Sequence, residues 1–157
     1  MSSKDYRIGL LKSFDYLSGY VEQADFNIYN KALGTHNFGN GLKENTTIQV
    51  DAIIKLINQK NQLLVVLNGL TKAINRLDND SKKLLWYRYV KKKDVKQVTT
   101  KLGLTKGIYY SKLQKALNQF ETYLKEEGID KEWFFENYAT KHWFRRLINF
   151  ASDGGCF

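Results

Sequence analysis

Residues 94–124 read DVKQVTTKLGLTKGIYYSKLQKALNQFETYL, and this stretch decides the fold. Asp94 stands before a run in which Val95, Val98 and Leu102 recur at helical spacing. Gln97, three residues after Asp94, completes the pattern of a capping box. Gly103 supplies the left-handed residue that ends such a helix. Thr105 is a second N-cap, after which Tyr109, Leu113, Ala116, Leu117 and Phe120 form an apolar stripe. Leu104 lies in the turn, where it would plug the angle between the two stripes. A short helix over residues 95–102, a tight turn at 103–105 and a longer helix over 106–124 make a helix-turn-helix, with the second helix free to enter a DNA major groove.

The stretch resembles, without a gap, the fourth region of bacterial sigma factors. The likeness is strongest at Val98, at Leu102-Gly103-Leu104-Thr105, and at Tyr109, Leu113 and Ala116. Just upstream, KKLLWYRYV (residues 82–90) resembles the helix that precedes this motif in the sigma family, including its closing Arg-Tyr pair, Arg88 and Tyr89. With the long helical segment in front, the chain resembles the ArpU-type transcriptional regulators of phages and prophages. The resemblance is specific over residues 77–124, loose over 29–76 and absent after Lys125; Thr99 stands where the sigma pattern prefers Ala or Gly. It implies an activator of late genes such as those for packaging and lysis. Carried over from the sigma pattern, the positions that face bases are Gly107, Ile108, Tyr110 and Ser111, with Gln114 one turn later. Gln pairs with adenine, Ser is permissive and Ile touches a thymine methyl, while Gly107 lets a backbone approach closely.

Charge points the same way. Residues 82–115 hold eleven Lys and Arg against Asp94 alone, a net +10, while the remaining 14 basic and 15 acidic residues net −1. The whole excess of the +9 chain therefore sits on the helix-turn-helix and its approach. A scattered excess would be a solvated face, but one concentrated on a motif shaped for DNA is a phosphate-binding surface. Lys91, Lys92, Lys93, Lys96, Lys106, Lys112 and Lys115 are the expected phosphate contacts, which orient the protein without specifying sequence. Thr105, at the start of the second helix, completes the expected DNA-binding set.

The rest of the chain reads as helical. Residues 5–33 carry Tyr6, Leu10, Phe14, Leu17 and Val21 at spacings of three or four, with 26–33 continuing that helix or packing beside it. GTHNFGNGLKEN, residues 34–45, reads as a mobile linker without a phosphate-loop pattern. Thr46 with Gln49 forms a capping box before Val50, Ile53, Ile54, Ile57, Leu64, Leu67, Leu70, Ile74 and Leu77, the stripe of a helix about 45 Å long. Lys60 and Asn61 interrupt this stripe, as polar residues do when they set register in a helix seam. That helix is expected either to pack on residues 5–33 or to dimerise. Asp80 or Ser81 is the expected cap of the next helix. After Glu126-Glu127-Gly128-Ile129-Asp130, a stop and a new cap, the tail is crowded with Trp133, Phe134, Phe135, Tyr138, Trp143, Phe144, Leu147, Ile148 and Phe150. Its few, mixed charges favour folding back onto the core over stacking on single strands or binding a membrane surface. Residues 153–157 read as a frayed end.

The expected fold is thus all-α: a helical N-terminal and oligomerisation region over residues 1–77, a sigma region 4-like helix-turn-helix over 78–124, and an aromatic-rich helical tail over 125–157. The 157 residues suffice for one modest core, and a hydrophobic content of 43% argues for a folded chain. No proline forces a break in a long helix. No apolar run of about 18 residues suggests a membrane span. The first residues lack an apolar signal core, and the single Cys156 fits a reducing compartment, so a cytoplasmic location is expected. No catalytic set is recognisable: His36, His142 and Cys156 are too few and too dispersed for a metal site, and no serine elbow is present. No enzymatic activity, cofactor or metal is therefore expected. The expected partners are double-stranded DNA and a second copy of the chain. Two alternatives share these features: a DNA-packaging component like a small terminase subunit, which would form rings, and a sigma-like factor that binds RNA polymerase without its own duplex affinity.

Overall fold

The computed structural model describes residues 5–37 and 43–152, the side chains of 34–37 and 43–46 excepted. Among the described residues the chain is all-α, with seven α-helices and no strand. They are α1 (Tyr6–Asn37), α2 (Lys43–Arg76), α3 (Asn79–Leu85), α4 (Val95–Leu102), α5 (Lys106–Glu126), α6 (Lys131–Thr140) and α7 (His142–Ala151). Trp86–Val90 continue α3 as a π-turn, in which the Lys91 N–H reaches back five residues to the Trp86 carbonyl at 2.8 Å.

The N-terminal half is more continuously helical than its sequence suggests. Residues 26–33 extend α1 without a break, and the expected linker over 34–45 is cut down from both ends: 34–37 belong to α1, 43–45 to α2, and 38–42 lie outside the described residues. α2 begins at Lys43, so Thr46 and Gln49 lie inside the helix rather than at its edge. Adding a residue to an existing helix is far easier than nucleating one, and Lys43 and Glu44 are good helix formers, so the helix runs past a usable cap. The cap of α3 also lies earlier than expected. It is Asp78, whose Oδ1 accepts the Ser81 N–H at 2.8 Å, and Asp80 sits in the first turn, where the helix dipole favours a carboxylate.

The chain divides into two compact units, Met1–Tyr16 with Asn68–Phe157, and Leu17–Leu67. In the first, Leu10, Leu11, Leu70, Ile74, Leu84, Leu85, Val98, Tyr109, Phe120, Phe134 and Phe144 are buried. Each such side chain contributes about 1.5–3 kcal/mol of hydrophobic stabilisation. The aromatic tail folds back into this core. The Phe134 ring lies 5.8 Å from Tyr6 and 5.3 Å from Phe144, and Leu147, Ile148 and Ala151 of α7 are fully buried. The stop at residues 126–130 is as expected, with Asp130 Oδ1 capping α6 through the Trp133 N–H at 2.7 Å. The expected frayed end, 153–157, lies outside the described residues. The second unit is a hairpin of the outer halves of α1 and α2. Among its described side chains Leu17, Ala24, Leu63 and Val66 are buried, and Lys60 pairs with Asp25 across it.

Candidate functional site

The α4–turn–α5 segment is built by its caps. Asp94 Oδ1 accepts the Gln97 N–H at 2.7 Å and Gln97 Oε1 accepts the Asp94 N–H at 3.0 Å, so both halves of the capping box are made. Gly103 ends α4 with φ 66° and ψ 36°, a conformation that a Cβ disfavours. The next N–H, of Leu104, donates to the Thr99 carbonyl at 2.9 Å. Thr105 Oγ1 accepts the Ile108 N–H at 3.3 Å and opens α5. Each cap of this kind is worth about 1 kcal/mol. Leu104 is half-buried in the turn.

The inner face of α5 carries Tyr109, Leu113, Ala116, Leu117, Phe120 and Leu124, all buried, and α3 packs against this helix. Polar contacts fix its position further. Tyr6 Oη donates to Glu121 Oε2 at 2.9 Å, Arg7 Nη1 donates to Asn118 Oδ1 at 3.0 Å, and Ser81 Oγ donates to Gln119 Oε1 at 3.4 Å. The first turn of α1 and the first turn of α3 therefore both hold the helix. Such fixed backing is what a reading helix needs, since a base contact tolerates little displacement.

The outer face is bare. Gly107, Ser111, Gln114 and Asn118, spaced by four, three and four residues, form one exposed stripe down α5. By the 100° turn per residue, Tyr110 flanks it on one side, and Ile108, Lys112 and Lys115 on the other. Tyr110 is 49% and Ile108 48% exposed, unusual for large apolar side chains flanking a polar stripe. A Cβ placed on Gly107 would meet no atom within 4 Å, so nothing inside the chain requires glycine there. Sequence reasoning missed one member of this face and the residue that holds it. Asn118 extends the stripe by one turn, and its Oδ1 accepts from both Arg7 Nη1 and Gln114 Nε2, the latter at 3.4 Å. Arg7 is 111 residues away in the chain, so no local pattern could have linked them.

The lysines separate into three groups. Lys93 and Lys96, at the start of α4, and Lys106, at the start of α5, are exposed. Lys112 and Lys115 are exposed too, but they line a groove of about 750 Å³ together with Lys83, Asp78 and Asp80. The Ser81 N–H holds the Asp78 carboxyl below the usual carboxylate range, and Lys115 adds to that effect. Lys91 and Lys92 are engaged by the first unit, Lys91 at its surface and Lys92 half-buried. Lys91 Nζ lies 3.4 Å from Asp15 Oδ2 and 5.4 Å from the Trp86 ring centre. Lys92, half-buried and with a positive φ of 57°, donates from Nζ to the Ala151 carbonyl at 2.7 Å and to Tyr16 Oη at 3.3 Å. Its cation caps the end of α7, where bare carbonyls collect partial negative charge. Lys101, not among the expected contacts, sits 4.2 Å over the Tyr87 ring.

Behind the stripe, the Tyr109 hydroxyl is buried and makes no hydrogen bond of good geometry, with the Arg88 guanidinium close by. Burial pushes this phenol up, and the neighbouring Arg88 guanidinium opposes the shift. Among the described residues no three His, Cys, Asp or Glu side chains converge in a way that could hold a metal ion. The His36 side chain and Cys156 lie outside those residues. No helix among the described residues is long and apolar enough to cross a membrane.

A protein-family model described as "Protein of unknown function (DUF1492)" matches residues 43–121, from the start of α2 through most of α5. No curated protein and no solved structure matches the chain.

Proposed function

We propose that this chain, which belongs to the DUF1492 family through a match over half its length, is a sequence-specific DNA-binding transcriptional regulator without enzymatic activity. One observation carries this reading: α5 is buried along its inner face, bare along the outer stripe, and its first half lies in the segment 82–115, of net charge +10. Phosphate contacts fall to Lys93, Lys96, Lys106, Lys112 and Lys115 around that stripe, with Lys92 turned inward. Base contacts fall to Ile108, Tyr110, Ser111 and Gln114. Gly107 supports the same reading: a glycine in the first turn of a helix, with open space around it, weakens the helix for no internal gain. Its value then lies in letting a phosphate backbone come close. The likeness to ArpU-type regulators extends the proposal to cytoplasmic activation of phage or prophage late genes by a homodimer on paired half-sites.

Selection of bound duplexes from a random library, followed by isotherms on the selected site at several salt concentrations, tests this. A preferred site is expected, with log affinity falling against log salt by about 0.9 per phosphate contacted. Gly107→Ala should leave the melting temperature unchanged or higher while weakening binding. Absence of duplex binding at low salt, or enrichment of no sequence, would overturn the proposal.

A further inference from the structure

The outer part of the helical hairpin has no interior of its own. Among residues 25–33 of α1 and 47–62 of α2, none is buried. Between the two helices runs an open groove of about 570 Å³, lined by Asn27, Asn30, Lys31, Ala52, Lys55 and Leu56. Large apolar side chains face outward instead: Phe26 is 58% exposed, Tyr29 62%, Ile54 49% and Val65 61%. On α2 the exposed residues Val50, Ile54, Ile57, Asn61 and Val65 follow at spacings of four, three, four and four. That is one stripe about 22 Å long. The groove places Ala52, Lys55 and Leu56 toward α1, so by the 100° turn per residue the stripe lies on the side of α2 away from α1. Two helices that bury almost nothing against each other are marginal in water, so a hairpin of this length needs a further partner surface.

The charges on the hairpin favour one occupant. Residues 17–67 hold four lysines and four carboxylates, a net of zero, while the whole chain carries +9. A neutral apolar stripe has no electrostatic attraction to DNA or to an anionic membrane. With no net charge, it can also meet its counterpart in a second copy of this basic protein without net repulsion. Asn61 in the middle of the stripe suits a helix seam, where a single polar residue fixes register.

We propose that a second copy of this chain covers the Val50–Ile54–Ile57–Asn61–Val65 stripe, pairing α2 with α2 in an isologous dimer. The inference deepens the homodimer proposed above by naming its surface, and it does not depend on DNA binding. It also narrows the dimer surface expected from sequence, because Leu70, Ala73 and Ile74 on the same helix, and Leu77 just after it, are buried within the chain.

The test uses the full chain without DNA. Sedimentation equilibrium at tens of micromolar should give twice the 18.3 kDa chain mass. The double variant Ile54→Lys, Ile57→Lys should sediment as a monomer and keep the tryptophan and near-ultraviolet signals of the first unit. Hydrogen exchange on the unaltered protein gives a readout independent of mutation: protection over residues 47–67 should rise with protein concentration, while that over 95–126 should not. A monomeric wild type, a ring of more copies, a dimeric double variant, or protection in 47–67 that ignores concentration would each overturn the proposal. DNA enters none of these measurements, so a failure of the DNA-binding reading leaves this outcome untouched.

Discussion

Lys91, Lys92 and Lys93 are indistinguishable in sequence, yet the fold gives them different jobs. Lys92 donates to the Ala151 carbonyl and the Tyr16 hydroxyl and lies over the Tyr16 ring at 4.8 Å, while Lys93 is exposed. Lys92→Ala should therefore lower stability by about 1.5 kcal/mol, the low end of the range for a hydrogen bond to a charged group, since the site is only half-buried. It should leave the salt dependence of duplex binding as it was. Lys93→Ala and Lys96→Ala should do the opposite, flattening the salt slope by about 0.9 each with little change in melting temperature. Thermal melts run beside isotherms separate the two classes. If Lys92→Ala flattened the slope and left the melt alone, its assignment to the inside of the unit would be wrong.

Among the elements, α4 and α5 depend most visibly on their caps. Asp94 satisfies one N–H of an eight-residue helix, too short to persist without its ends. Asp94→Ala should cost about 1 kcal/mol, and Asp94→Asn markedly less, because an amide oxygen still accepts the Gln97 N–H. Denaturant melts of the two variants check the order; equal losses would mean that charge, not the hydrogen bond, sets the effect. These caps were legible in the sequence because capping is local: Asp94, Gln97, Gly103 and Thr105 each act within three residues or so. The same locality explains what was not legible. The π-turn at Trp86–Val90 has no cap residue to announce it, and its geometry answers to packing around Tyr89 and Val90. α2 overran the Thr46–Gln49 pattern because a cap residue permits a helix start without compelling one. The partners of Asn118 and Lys92, Arg7 and Ala151, lie far away in the chain, so no local pattern announced those contacts.

For the whole molecule, the first unit ties its segments together through buried phenols, and this sets its response to alkaline pH. Tyr6 comes from α1, Tyr89 from the π-turn and Tyr109 from α5, and all three are buried. Burial is the leading cause that raises each phenol; that of Tyr89 is pushed up to about 12, and Tyr6 is raised further by its hydrogen bond to Glu121. A tyrosine whose folded value lies above its unfolded value of about 10 stays neutral in the fold after the unfolded chain has begun to lose the proton. The stabilisation is therefore fully present below about pH 10 and is lost as pH rises toward 12. Each buried phenol steepens the loss by up to about 1.4 kcal/mol per pH unit. Melting temperature should be nearly flat from pH 8 to 9.5 as far as these groups are concerned, then fall steeply. Tyr109→Phe separates the contributions well, since that hydroxyl makes no well-formed hydrogen bond and has only the nearby Arg88 guanidinium to lose. The variant should match or exceed the wild type in stability at pH 8, because a buried unsatisfied hydroxyl is removed, and should fall less steeply above pH 10. Both should be read from fluorescence melts between pH 8 and 11.5. A Tyr109→Phe protein that is clearly less stable at pH 8 would mean that the hydroxyl is satisfied in solution, with Arg88 as the nearest donor.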